Sequence, residues 1–201
     1  MFIRRENFKQ YIRLYPVVST IITINIIVFI ITLLPGFGDE ILYAGMSVNG
    51  LIAEGEWWRI ITSMFLHGGF MHVLFNMFSL FLFGPELENI AGKIRFLTVY
   101  FLAGIFGAAA TFVTQDALYA SVGASGAIFG IIGAFGALVF YTHKSFPQLR
   151  QIILPIIVIS VIMTFLQPNI NAAAHLGGLV AGFVLGLVYF NPKNMLRWRM
   201  K

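Results

Sequence analysis

Residues 123–142 read GASGAIFGIIGAFGALVFYT. The stretch carries no charge and has about the length that a bilayer demands of a helix. Gly126, Gly130 and Ala134 recur at steps of four. Such small-xxx-small stripes let membrane helices pack with their backbones near contact. Ser125 stands just inside the start. Residues 172–190, AAAHLGGLVAGFVLGLVYF, repeat the arrangement, with Gly178, Gly182 and Gly186 at the same steps and His175 near the start. A hydroxyl and an imidazole at membrane depth are costly to desolvate and call for a functional account.

Four more segments, near 17–34, 60–83, 94–114 and 150–167, read as spans. The composition agrees. The chain is 59% hydrophobic and 10% charged, with a mean hydropathy of +0.87, where a soluble domain is roughly a quarter charged. The reading is an all-α membrane protein, a bundle of six transmembrane helices over 17–190. A cytoplasmic segment precedes it at 1–16 and a basic cytoplasmic tail follows at 191–201. The first span is too long and too internal for a signal peptide. The absence of cysteine excludes disulfides and thiolate metal sites.

The net charge of +5 does not point to nucleic acid, because of where the charges fall. Six spans put the N-terminus, the 84–93 and 143–149 loops and the C-terminus on one side. Those segments and their flanks hold 12 of the 13 basic residues, Arg59 being the exception. The positive-inside rule then makes both termini cytoplasmic, in a multi-pass protein of the cell membrane. Residues 2–15 mix basic and bulky apolar side chains, and two readings stay open: an interfacial helix on the inner leaflet or a solvated flank. Pro147 and Pro168 mark turns, and Pro155 bends the fifth span. The 35–59 loop is half apolar, with Trp57 and Trp58 beside Arg59, and is expected in the outer interface.

Spans two, four and six all run inward from the outer face. Ser125 and His175 therefore lie on the order of one to two helical turns deep, given a rise of about 1.5 Å per residue. Span two carries His67, His72 and Asn76, the last two on one helical face as i and i+4. Close approach of spans four and six brings Ser125 beside His175, and Phe129, at i+4 from Ser125, covers the imidazole. A serine nucleophile with an imidazole base is the minimum set for nucleophilic catalysis. Oxyanion donors complete it; His72, Asn76 and the Ser125 N–H are the candidates. The plainer readings are a serine bonded to its own helix and a packing histidine. A metal site is disfavoured, since no acidic residue shares that depth, no H-E-x-x-H is present, and i, i+5 histidines diverge on a helix.

These residues together resemble the rhomboid intramembrane serine proteases, in the six-helix core form. The marks are Trp58-Arg59, His72-x3-Asn76, Gly123-x-Ser125-Gly126 and Ala174-His175-x2-Gly178-x3-Gly182. The resemblance implies that Ser125 is the nucleophile and His175 the general base of a dyad without aspartate. It implies that His72 and Asn76 are oxyanion donors, that His67 braces the first loop, and that Glu88 is structural at the inner end of helix two. Gly123 lets the chain into the active-site turn. Many relatives carry tyrosine where this chain has Phe129; the ring still stacks, without a phenolic hydroxyl. The implied substrates are single-span membrane proteins, cut near the outer face, with a small residue before the scissile bond and a helix that unwinds easily. They reach the site laterally near helices two and five, gated by the loop at about 167–171. No cofactor or metal is required, and the sequence holds no signal for oligomeric state.

Three other readings compete. A silent relative that binds without cutting usually lacks the serine or histidine, and both are present. A transporter using His67, His72 and His175 as a proton path lacks acidic partners in the inner half of any span. A scaffold leaves the side-chain donors opposite Ser125 unexplained.

Overall fold

The computed structural model describes residues 2, 4–168 and 170–194. Among the described residues five helices are long and apolar enough to cross a membrane: α6 (Phe70–Ala91), α7 (Lys93–Thr114), α8 (Ser125–Thr142), α9 (Pro147–Leu166) and α10 (Ala172–Tyr189). A sixth, α2 (Pro16–Thr32), is 17 residues long and joins them when taken with α1 (Phe8–Leu14), to which it is bent by 111°. Short elements fill the first loop: α3 (Gly38–Gly45), β1 (Ser47–Val48), α4 (Asn49–Ala53) and α5 (Arg59–Thr62), then a 3-10 turn at Ser63–Phe65.

The centre of the bundle is α8. Thirteen of its residues are buried, from Gly126 to Val139, because glycine and alanine let neighbouring helices close on every side. Gly126 and Gly130 face α10 at Ala174 and Gly178, and Ala134 faces Gly186. The two helices thus run parallel and in step. Contact is backbone to backbone. A Cβ on Gly178 would stand 2.0 Å from the carbonyl oxygen of Gly126, and one on Gly182 would stand 1.9 Å from that of Gly130. Helix α7 packs beside both, where Gly107 meets the backbone of Ala174 and Ala103 lies against Gly130. By contrast α9 is barely embedded, with only Ile153 and Thr164 buried.

Span two departs from its expected 60–83. Gly68 and Gly69 end the run of short helices, so α6 starts at Phe70 and continues through Pro85 to Ala91. His67 consequently lies before the helix, and the angular argument that set it apart from His72 does not apply. Pro147 opens α9 at its first turn instead of marking a loop, as suits a residue whose missing N–H would be unpaired there anyway. Pro155 sits inside the same helix.

The end of the bundle holding the starts of α2 and α7 is tied by carboxylates. Glu88, buried near the end of α6, accepts the N–H groups of Val17 (3.2 Å) and Val18 (2.9 Å) at the start of α2. It satisfies donors that the helix cannot. Arg4 pairs with Glu86 and Glu6. Asn7 and Gln10 form a capping box on α1, and Tyr11 is buried with its ring stacked on Phe81. Residues 8–14 form a helix. Arg197, Arg199 and Lys201 fall outside the described residues.

At the opposite end, β1 pairs antiparallel with β2 (Ala120–Ser121), Ser47 opposite Ser121. Asn49 donates to the carbonyls just past the end of α7, at Gln115 (3.2 Å) and Asp116 (3.0 Å). The first loop is thereby fastened to the chain that leads into α8.

Candidate active site

The starts of α6, α8 and α10 gather at one end of the bundle, and each delivers a polar side chain there. Gly123 makes this possible for α8. Its φ of +126° is open to glycine and strained for other residues, and its N–H donates to the Ser63 carbonyl at 2.9 Å. A Cβ on Gly123 would stand 2.7 Å from His72 Nε2, so the imidazole of His72 lies against the turn that precedes Ser125.

Ser125 is the first residue of α8 and is partly exposed. The first intrahelical bond is made by Ile128 N–H to Ala124 (3.0 Å), which leaves the N–H groups of Ser125, Gly126 and Ala127 ahead of the helix's own ladder. The positive end of the helix dipole faces the same place. A cavity of about 40 Å³ reaches the serine, bordered by Ser47, Ser63, Thr111, Ser121 and Asn171 among others. It exceeds the roughly 10–15 Å³ that a water needs, and its lining supplies hydrogen-bond partners.

His175 is buried in the first turns of α10. Asn171 caps that helix, accepting from Ala174 N–H (3.0 Å) and bonding to Thr111 of α7 (2.9 Å). The His175 ring stacks on Phe129, centroids 4.0 Å apart and planes 19° from parallel. Its Nδ1 lies 2.9 Å from Thr164 Oγ1 on α9. Gly126, next to Ser125, faces the backbone of Ala174, next to His175. Among the described residues no hydrogen bond joins Ser125 to His175. Such bonds are often long in free enzymes and tighten only around substrate.

Asn76 is buried, with its side-chain N–H on the His72 carbonyl at 2.9 Å; the amide keeps a second donor. His67 is buried edge-on to His72, centroids 5.0 Å apart, and among the described residues neither of its ring nitrogens makes a hydrogen bond of good geometry. It supports its neighbour by packing. Arg59, 4% exposed, donates to the carbonyls of Tyr43 (2.6 Å) and Met46 (2.9 Å) and pairs with Glu56 (2.5 Å). Trp58, half exposed, donates weakly to Ala44 (3.3 Å). Both belong to the frame of the first loop.

Three contributors escape a sequence reading. Asn171 carried a usable signal, an N-cap residue before an alanine run. Thr111 and Thr164 carried none, each a single hydroxyl in an apolar helix.

Fold and site together define a multi-span helical membrane protein with a serine and an imidazole at one end of its core. The Rhomboid domain profile matches residues 54–192. The chain is 43% identical over 196 residues to "Putative rhomboid protease YdcA" of Bacillus subtilis (strain 168), covering 96% of this chain and 98% of that one. It is 40% identical over 158 residues to Rhomboid protease GluP of the same organism, and 38% over 163 residues to RHOMBOID-like protein 5 of Arabidopsis thaliana. These matches take in 77% and 74% of this chain but 30% and 52% of those longer relatives. The chain belongs to the rhomboid family of multi-pass membrane proteases, which are hydrolases.

Proposed function

We propose that this protein is an intramembrane serine endopeptidase in which Ser125 is the nucleophile and His175 the general base. The observation that carries the reading is the parallel backbone contact of α8 with α10, which brings the turns bearing the two residues together. The Ser125 oxygen attacks the scissile carbonyl carbon as His175 Nε2 takes its proton. The oxyanion of the tetrahedral intermediate is met by the Ser125 N–H, by His72 and by the free donor of Asn76, each worth a few kcal/mol of barrier at about this geometry. Collapse breaks the C–N bond, and the imidazolium gives its proton to the leaving amine. Water from the polar cavity then attacks the acyl-enzyme, again losing its proton to His175, and frees the acid and Ser125.

The six helices span the bilayer with both termini cytoplasmic, as the basic residues require, so the site faces the outer side. Substrates are single-span membrane proteins whose helix unwinds near its outer end, because a helical peptide bond has its carbonyl engaged and shielded. A small residue before the scissile bond suits the confined space at Ser125. The substrate arrives from the lipid side between α6 and α9, past the 167–171 loop, of which Asn169 lies outside the described residues.

The test is cleavage, in detergent and in liposomes, of a single-span substrate with small residues near its outer end. The parent runs beside Ser125→Ala and His175→Ala. Cutting by the parent alone supports the dyad. Equal cutting by all three, or none by a folded parent across several substrates, overturns it.

A further inference from the structure

Helix α9 is little buried along its length, yet it buries one hydroxyl at the end that holds the candidate site. Thr164 is 4% exposed, and its Oγ1 lies 2.9 Å from the Ser160 carbonyl oxygen and 2.9 Å from His175 Nδ1. A threonine hydroxyl has one proton. In a helix that proton can go to the carbonyl four residues back, and the Ser160 carbonyl oxygen is placed to accept it. With the proton on the Ser160 carbonyl, what Thr164 offers His175 is a lone pair, and its partner is an Nδ1 that carries hydrogen. A neutral imidazole protonated at Nδ1 has its basic lone pair on Nε2. Phe129 fixes the plane of the ring; a bond to Nδ1 fixes its rotation within that plane.

We propose that Thr164 is the positioning residue of the base. By accepting Nδ1–H it selects the tautomer with a bare Nε2 and turns that nitrogen toward Ser125, the part an aspartate plays in a triad. The inference rests on the reading of Ser125 and His175 as nucleophile and base. It also ties catalysis to α9, since that helix has only one other buried residue, Ile153, and the bond breaks when α9 moves away from α10.

Thr164→Val keeps the shape and removes the hydroxyl; Thr164→Ser keeps the hydroxyl. Cleavage in liposomes should show kcat of the valine variant down at least about tenfold, as expected for an impaired general base, with KM little changed. Serine should restore most of the rate. Independently, 15N spectra of histidine-labelled protein in micelles, assigned with His175→Ala, should show Nδ1 protonated and Nε2 bare in the parent. Valine should move the proton toward Nε2. Parent-like kcat in the valine variant, or a bare Nδ1 in the parent, overturns the proposal. Should valine fail to fold, the parent spectrum decides. A parent that does not cut, or a Ser125→Ala variant that cuts equally, sinks the protease reading instead and leaves the tautomer result standing by itself.

Discussion

Phe129 lies flat on His175, ring centroids 4.0 Å apart and planes within 19°. The aromatic residue comes from one helical turn beyond Ser125, so α8 supplies both the candidate nucleophile and the surface on which the candidate base rests. Phe129→Leu preserves an apolar side chain but not the plane. Its cleavage rate should fall about tenfold or more, since misoriented proton transfer forfeits much of a general base's contribution. Phe129→Tyr keeps the stack and should cut within about threefold of the parent, the added hydroxyl lying at the ring edge. Initial rates on one liposome substrate check both.

Gly182 leaves no room for a side chain. An alanine Cβ there would meet the Gly130 carbonyl oxygen at 1.9 Å, and a backbone atom cannot turn aside. Gly182→Ala should therefore destabilise by at least about 1–3 kcal/mol, the usual cost of overpacking, and should lose activity as α8 and α10 part. Gly69→Ala is the contrast. Among the described residues nothing lies within 4 Å of its Cβ position, and its melting temperature in detergent should match the parent's.

Gly123 is constrained twice, by a φ of +126° and by His72 Nε2 at 2.7 Å from its Cβ position. Gly123→Ala should displace the His72 ring and twist the start of α8. Activity should drop by about a hundredfold, comparable with loss of one oxyanion donor. The melting temperature should fall only modestly, because the helix core beyond Gly126 is untouched. Activity and melting measured on the same preparation separate the two effects.

Arg59 closes the first loop with one fork of donors on Tyr43, Met46 and Glu56. A lysine presents a point charge and cannot serve three acceptors in that geometry. Arg59→Lys should lose about 1–3 kcal/mol, the cost of leaving buried acceptors unpaired, and Arg59→Ala somewhat more. Thermal unfolding in detergent reads both, with catalysis falling only as the loop loosens.

Much of this architecture was legible because membrane helices advertise themselves by length and apolarity, and because small residues at four-residue steps admit few packings. Gly126, Gly130, Gly178 and Gly182 pointed to the α8–α10 contact, and Ser125 and His175 came with them. The start of α6 was not legible. A hydropathy reading sees an unbroken run from Ile60, whereas Gly68 and Gly69 break it and leave His67 ahead of the helix. Thr164 was invisible for a different reason: one hydroxyl among apolar residues has no period, and its meaning comes only from what α10 places opposite it.

Where Gly178 and Gly182 rest on the carbonyls of Gly126 and Gly130, the spacing of α8 and α10 is set by main-chain atoms alone. Main chain in a helix has no rotamers to sample. The seam therefore acts as a ruler without joints: swelling, thinning or exchange of the surrounding lipid can reshape side chains at the rim without lengthening it. The freedom left between the candidate nucleophile and the candidate base resides in the χ angles of two residues, Ser125 and His175.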